Sequence, residues 1–349
     1  MAPVGDPTEP TVTTPHPAPI VLFGPQRFHP SVPGVVARAG VKGPLAAITA
    51  GWQERESEDQ ELRDALGVPI VNLSIHSRAE RVFREDPELF AAHRARQDRV
   101  RGLQELYRVR VKHGVAAVRA LGDRPVAADL VASEREDAVA ALRRLEEHHL
   151  GRLQSVHAAF SVETGFDQRP AVARERREIE AALAECEAVL VAGGHIAVLL
   201  NRMRLFSLAE LCRDRRIFAW SAGAMAMTER VVVFHDSPPQ GPGNAELFDV
   251  GLGLAGGVIV LPDAQRRLRL GDPKRVALLS QRFAPTPCVA LDEGGWIARR
   301  AALDPRAFGH QVAPPGEGDG ARAWMGEGLA RSLERGGSVI ALSGAGEEG

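Results

Sequence analysis

Short, uniformly apolar runs alternate with amphipathic stretches in the first part of the chain. Residues 20–24, 45–50 and 68–75 read as buried strands. A polar turn at 51–56 and a helix at 58–66, stopped at Gly67, lie between the second and third. Strands without polar alternation are covered on both faces, which predicts a mostly parallel sheet flanked by helices.

The rhythm breaks over 77–160, where no strand pattern occurs. Val100, Leu103, Tyr107, Val111, Val115 and Val118 recur at helical spacing, as do Leu142, Leu145, His149, Leu153, Val156 and Phe160. Gly122-Asp123-Arg124-Pro125 is a turn between them. The pattern predicts a long antiparallel helical hairpin inserted into an α/β domain. Its apolar stripe faces the sister helix, the core or a second subunit, so a homo-oligomer joined through the insertion is one reading. His149 on that stripe reads as a packed core-edge histidine.

After the insertion the α/β alternation resumes. A helix is expected at 175–185, with strands at 188–192, 217–220, 230–234, 258–261, 288–291 and 296–299 and a further helix at 273–281. The organisation expected is a disordered Pro-rich tail over 1–18, an α/β domain over 19–76 and 161–312, the insertion over 77–160, and a C-terminal segment over 313–349. That last segment reads as a linker at 313–320, an amphipathic helix at 321–334 and a loose tail.

Composition narrows the partners. Formal net charge is −2, which suggests neither nucleic acid nor membrane binding. Lys42, Lys112 and Lys274 are the only lysines, and the surplus of arginine is read as coding bias. Cys186, Cys212 and Cys288 have neither metal-ligand nor disulfide-framework spacing, so no metal or other cofactor is expected. No apolar run approaches the roughly 20 residues of a membrane span. The N-terminus lacks the basic start of a signal peptide, and a reducing cytoplasm is the expected compartment.

Three motifs bear on chemistry. Ala219-Trp220-Ser221-Ala222-Gly223 places a serine between a strand and a helix among small residues, the pattern of a nucleophile elbow with Ala219 where the usual motif has Gly. Ser221 is then an acyl-transfer nucleophile or a buried helix cap. Gly193-Gly194 ends another strand at the same carboxyl edge, where backbone amides can hold an oxyanion. His195 follows directly, and His235-Asp236 ends the strand after the elbow; each is a candidate acid or base. Gly251-Leu252-Gly253-Leu254-Ala255-Gly256 has the dinucleotide-binding spacing but precedes a strand, so it reads as a turn.

On these segments the chain resembles the serine peptidase family that includes dipeptidase E and cyanophycinase, within the class I glutamine amidotransferase-like superfamily. The resemblance rests on the 188–195 strand and turn, on Trp220-Ser221-Ala222-Gly223-Ala224, on 251–260, and on Arg267-Leu268-Arg269-Leu270-Gly271 and Leu291-Asp292-Glu293. It implies a serine hydrolase acting on a small peptide or amide bond, with Ser221 as nucleophile. Backbone amides at Gly193, Gly194 and Ala222 would form the oxyanion site, and Asp236 lies where the family keeps an acid. Substrate selection falls to Gln53, Glu54 and Arg55. One departure stands out: a gapless register puts Asp263 where the family has its catalytic histidine, and no histidine lies between His235 and His310. An ordinary carboxylate, with a pKa near about 4, is a poor base for a serine hydroxyl. Either His195 or His235 supplies the base, with Asp236 or Asp263 orienting it, or the chain is a non-catalytic relative that binds a ligand or a partner.

Overall fold

The computed structural model describes residues 19–235, 243–299, 324–327 and 330–342. The chain forms β1 (Ile20–Phe23), α1 (Val32–Arg38), β2 (Leu45–Ile48), α2 (Gln60–Leu66), β3 (Ile70–Asn72), α3 (Ile75–Glu85), α4 (Pro87–Gly122), α5 (Ala128–Thr164) and α6 (Pro170–Ala184). It continues with β4 (Ala188–Val191), α7 (Ile196–Leu205), α8 (Leu208–Leu211), β5 (Arg216–Trp220), α9 (Ala222–Met227), β6 (Arg230–Val233), β7 (Glu246–Val250) and β8 (Ile259–Pro262). Last come α10 (Ala264–Arg267), α11 (Pro273–Phe283), β9 (Cys288–Leu291), β10 (Trp296–Arg299), β11 (Trp324–Glu327), β12 (Ala330–Leu333) and β13 (Val339–Ala341).

The central sheet runs β11-β10-β1-β5-β4-β2-β3; β1 to β3 pair in parallel through β5, β4 and β2, while β10 and β11 are antiparallel. Its inner strands are almost wholly apolar because alternate residues serve two cores. Leu22, Ile48, Val191 and Ala219 face one cluster with α3, α6, α7 and α9. Phe23, Ala47, Leu190 and Phe218 face another with α1. Both faces are covered, as the unalternating strand pattern requires.

Two expectations need correction. The later strands do not all extend one sheet: β8 and β9 pair in parallel within a second sheet, β13-β12-β9-β8, and β6 and β7 form an antiparallel pair. The helix expected over 321–334 is not formed, since Trp324–Glu327 and Ala330–Leu333 are strands paired with β10 and β9. Those long-range pairings outweigh the local helical pattern. The expected tail at 1–18 and linker at 313–320 lie outside the described residues.

The third strand ends at Asn72, short of the expected 75, and the span 77–160 begins with most of α3, which packs with α6 and α7 in the α/β core; the rest of the insertion is a pair of long helices, α4 and α5. Tyr107, Val111, Val115 and Val118 pack against Val139, Leu142 and Leu145, and the same cluster takes in Leu247 of β7, Leu261 of β8 and Phe283 of α11. The apolar stripe is therefore covered within the chain. His149 is buried, stacked on Tyr107 at 4.1 Å between ring centroids, and its Nε2 lies 2.9 Å from Gln104 Oε1. Among the described residues no helix is long and apolar enough to cross a membrane.

A buried polar group joins α5, α7 and β7. His157 Nε2 lies 2.7 Å from Asp249 Oδ1, and Arg204 Nη1 donates to Asp249 Oδ2 at 2.8 Å. Burial pushes the Asp249 carboxyl up, but Arg204 and His157 outweigh it and hold it at about 2. A lowered carboxylate contributes stability above its unfolded pKa near about 4, and that contribution is lost as pH falls through the folded value. Urea unfolding should therefore show about 2 kcal/mol of stability disappearing between roughly pH 4 and pH 2. Asp249→Asn should lack that part of the acid slope; an unchanged slope would refute the assignment.

Candidate active site

The carboxyl edge of the central sheet brings together the ends of β1, β2, β4 and β5. Ser221 follows β5 and precedes α9, with φ 50° and ψ −120°. This conformation is strained for a residue with a Cβ, at a cost of order 1–3 kcal/mol. It persists because the neighbouring backbone fixes it. Ser221 N donates to Phe23 O at 3.0 Å, and Met225 N donates to Ser221 O at 3.1 Å.

Small neighbours make the turn feasible. A Cβ on Gly193 would lie 2.8 Å from the Ser221 Cβ, and one on Gly223 would lie 2.3 Å from Val191 O. The Gly193 backbone thus packs directly on the serine. The same imagined Cβ is 3.5 Å from Ala222 N. Among the described residues, the amides of Gly194 and Ala222 donate to no backbone acceptor. They belong to the first turns before and within α7 and α9, where N–H groups have no intrahelical partner. Gly193, Gly194, Ala222 and Ser221 are therefore brought to one place.

The turn after β2 joins them. His195 N donates to Gly51 O at 2.7 Å, and a Cβ on Gly194 (φ 110°) would lie 2.4 Å from that oxygen. Gln53, two residues on, has φ 59° and ψ −123°, the same unusual conformation as Ser221. It is half-buried, while Glu54 and Arg55 are exposed. Arg55 Nε donates to Glu58 Oε2 at 2.7 Å, which turns its charge toward α2. Residues not singled out in the sequence hold this turn. Thr49 Oγ1 and Asn72 Nδ2 donate to Glu56 O at 2.8 and 2.9 Å, and the buried Glu56 carboxylate accepts from His76 N and Ser77 N at 2.8 and 2.9 Å. Only their polar character at strand ends hinted at this role.

The base candidates are not equally placed. His195 is the N-cap of α7, and its Nδ1 accepts from Val198 N at 3.4 Å. In that tautomer Nε2 carries the hydrogen and is a donor. His235 follows β6, in the two-stranded sheet, and is exposed. Asp236 lies outside the described residues. Asp263 follows β8 with φ 61°, and its N donates to Leu291 O at 2.9 Å. Its carboxylate accepts from Arg267 Nε at 3.2 Å. A Cβ on Gly24 would sit 2.7 Å from Leu291 O and 2.1 Å from Asp292 O. Asp263 is thus tied to the β1 end, whose Phe23 O accepts from Ser221 N. Asp292, also buried, fixes this corner: Oδ1 accepts from Gln265 N at 2.7 Å, and Oδ2 pairs with Arg331.

Among the described residues no group of three or more His, Cys, Asp or Glu side chains forms a metal site. The cysteines are buried, and burial pushes the Cys212 and Cys288 thiols up to about 12. Neither is a thiolate nucleophile near neutral pH.

A model of peptidase family S51 matches residues 140–301, a span that holds Gly193, Gly194, Ser221 and Asp263. Among solved structures the chain is similar to a peptidase from an acI-B1 Actinobacterium, at 13% identity, over 95% of this chain and 96% of that chain, with a TM-score of 0.43. No curated protein matches it. The family match supports a peptidase-like hydrolase.

Proposed function

From the resemblance to peptidase family S51 over residues 140–301, we propose that the protein is a serine hydrolase that cleaves a small peptide or amide bond. One observation carries this reading: Ser221 is held in a strained strand-to-helix turn at the carboxyl edge, packed on Gly193 and next to the amides of Gly194 and Ala222. Ser221 Oγ attacks the carbonyl carbon and its proton passes to a base. The carbonyl oxygen becomes an oxyanion beside the two amides. Collapse expels the amine, which takes the proton held by the base, and water then releases the acyl group, one of its protons returning through the base to Ser221 Oγ. The Asp263 carboxylate stands in the base position implied by the resemblance. A carboxylate is a weak proton acceptor for this task, so slow turnover is expected. Gln53, strained on the adjoining turn, is the substrate contact assigned here, with Glu54 and Arg55 at the rim.

A second reading, a non-catalytic relative that binds a ligand or partner, is favoured by a specific observation. Among the described residues no imidazole is hydrogen-bonded to Ser221, and His195 Nδ1 is engaged with its own helix. Treatment with a fluorophosphonate probe, followed by mass spectrometry of the modified peptide, separates the two. Labelling at Ser221 that disappears in Ser221→Ala is the expected result. A folded protein that never labels would leave the binding reading.

A further inference from the structure

α4 carries a second stripe, on the side away from the packing described above. Gly102, Leu106, Val109, His113, Ala116 and Ala120 follow one another at alternating steps of four and three. At about 3.6 residues per turn they lie opposite the buried Tyr107, Val111, Val115 and Val118. Gly102 is half-buried and the other five are exposed, Leu106 and Val109 by 68% and 59%. A mean step of about 3.5 is the seam of a coiled coil, which is buried by another helix. The sister helix α5 packs on the Tyr107 side instead. The family match begins at residue 140, so the stripe lies outside it.

Two observations bear on what covers this seam. The first is size. When α4 is laid antiparallel on α4 of a second copy, with the two-fold axis level with residues 107 and 108, Leu106 meets Val109 twice at the centre. Gly102 then faces His113, and Arg99, one step before it on the seam, faces Ala116, so each bulky polar side chain falls opposite a small one. A parallel pairing would set each seam residue against itself, with Arg99 on Arg99. The second is charge. Asp98, Glu105, Lys112 and Arg119 recur every seven residues along one flank of the seam, and all four are exposed. In the antiparallel register Glu105 lies beside Lys112 of the second copy and Asp98 beside its Arg119, and the two-fold repeats each pair. Asp98 also meets Arg101 of its own helix at 2.8 Å, so the Glu105–Lys112 pairs are the sharper test.

We infer that this stripe joins two copies of the chain through antiparallel α4 helices. From Ala95 to Ala120, which face each other in this register, the contact is about 38 Å long at about 1.5 Å per residue. One helix wide, it is at the small end for specific interfaces, so the dimer is reversible. The seam is opposite the packed face of α4, so the two α/β bodies lie on opposite sides of the helix pair. The inference does not depend on the hydrolase reading.

Sedimentation velocity of the full chain over a range of concentrations tests this. A monomer–dimer equilibrium is expected. Leu106→Glu sets carboxylates against the central valines and should abolish the dimer. Lys112→Glu and Glu105→Lys each turn two attractive pairs into repulsive ones and should raise the dissociation constant about tenfold. The exchange Glu105→Lys/Lys112→Glu should bring it back to within about threefold of the parent. Residues 105 and 112 are two turns apart on one helix, so the rescue requires the second copy. A chain that sediments as a monomer at every concentration, a dimer that survives Leu106→Glu, or an exchange no better than the single variants would each overturn the inference. Should Leu106→Glu lose its helical circular dichroism, the charge series decides alone.

Discussion

Replacing Arg282 by methionine is expected to remove about 3–5 kcal/mol of folding stability, because it strands a buried carboxylate. Arg282 and Glu146 are 3% and 1% exposed in their side chains. Arg282 Nε donates to Glu146 Oε1 at 3.0 Å, and Nη1 donates to Ala245 O at 2.9 Å. Tyr107 OH donates to Glu146 Oε2 at 2.6 Å and accepts from Leu247 N at 3.1 Å. Burial, then the Glu146 charge, pushes the Tyr107 hydroxyl above its ordinary range, so it stays a donor. The network pins α4 and α5 to α11 and β7. Glu146 alone would be left with one hydroxyl for a counter-partner. The double replacement Glu146→Leu/Arg282→Met removes both charges and should recover much of the loss. Urea unfolding of the two singles and the double gives the coupling directly. A double mutant no more stable than Arg282→Met would mean that shape, not charge, holds this corner together.

The sequence made the central sheet readable because burial on both faces leaves almost no polar position in its inner strands. Ile20–Phe23, Ala188–Val191 and Arg216–Trp220 stand out for that reason. The hairpin was readable from the valines of α4, which meet the leucines of α5. Other elements were hidden by polar residues with internal partners. β7 reads as loop because Glu246 and Asp249 interrupt it, yet Asp249 points inward to His157 and Arg204. α1 is masked by Pro33 and Gly34. β12 looks helical locally, but Arg331 reaches Asp292 and the strand pairs with β9. Apolar runs predict strands and not their partners, so the division into two sheets and the β6–β7 ribbon was not legible. At the site, residue type and small neighbours singled out Ser221, Gly193 and Gly194. The matching strain of Gln53 and the Thr49–Glu56–Asn72 support depend on backbone geometry, which no residue pattern encodes. Arg96 and Glu146 read as ordinary charged positions on long helices and Arg282 as one just past a shorter helix, and only packing shows that they are buried.

Asp263→His is expected to speed fluorophosphonate labelling of Ser221 by about 10²–10⁴-fold, the range typical of a positioned general base. The substitution suits the backbone. Asp263 has φ 61° and ψ 33°, a left-handed conformation in which His, like Asn and Asp, is enriched. The amide bond to Leu291 O is independent of the side chain and keeps the residue at the β8 end, joined through Leu291 and Gly24 to the strand that fixes Ser221. What is lost is the contact to Arg267, whose side chain is 51% exposed, and exposed pairs contribute little. What is gained is an imidazole with an unperturbed pKa near about 6.5, the group the serine lacks. Labelling should therefore rise with pH through about 6.5, where the imidazole loses its proton and becomes a base. Asp263→Asn separates this gain from simple removal of the charge and should not accelerate labelling. If Asp263→His labels no faster than the parent chain, the end of β8 is not the base position, and the proton must leave Ser221 by another route. His195 would then be the next group to replace, since its cap on α7 is a single hydrogen bond of 3.4 Å and releasing it frees the ring at the same sheet edge.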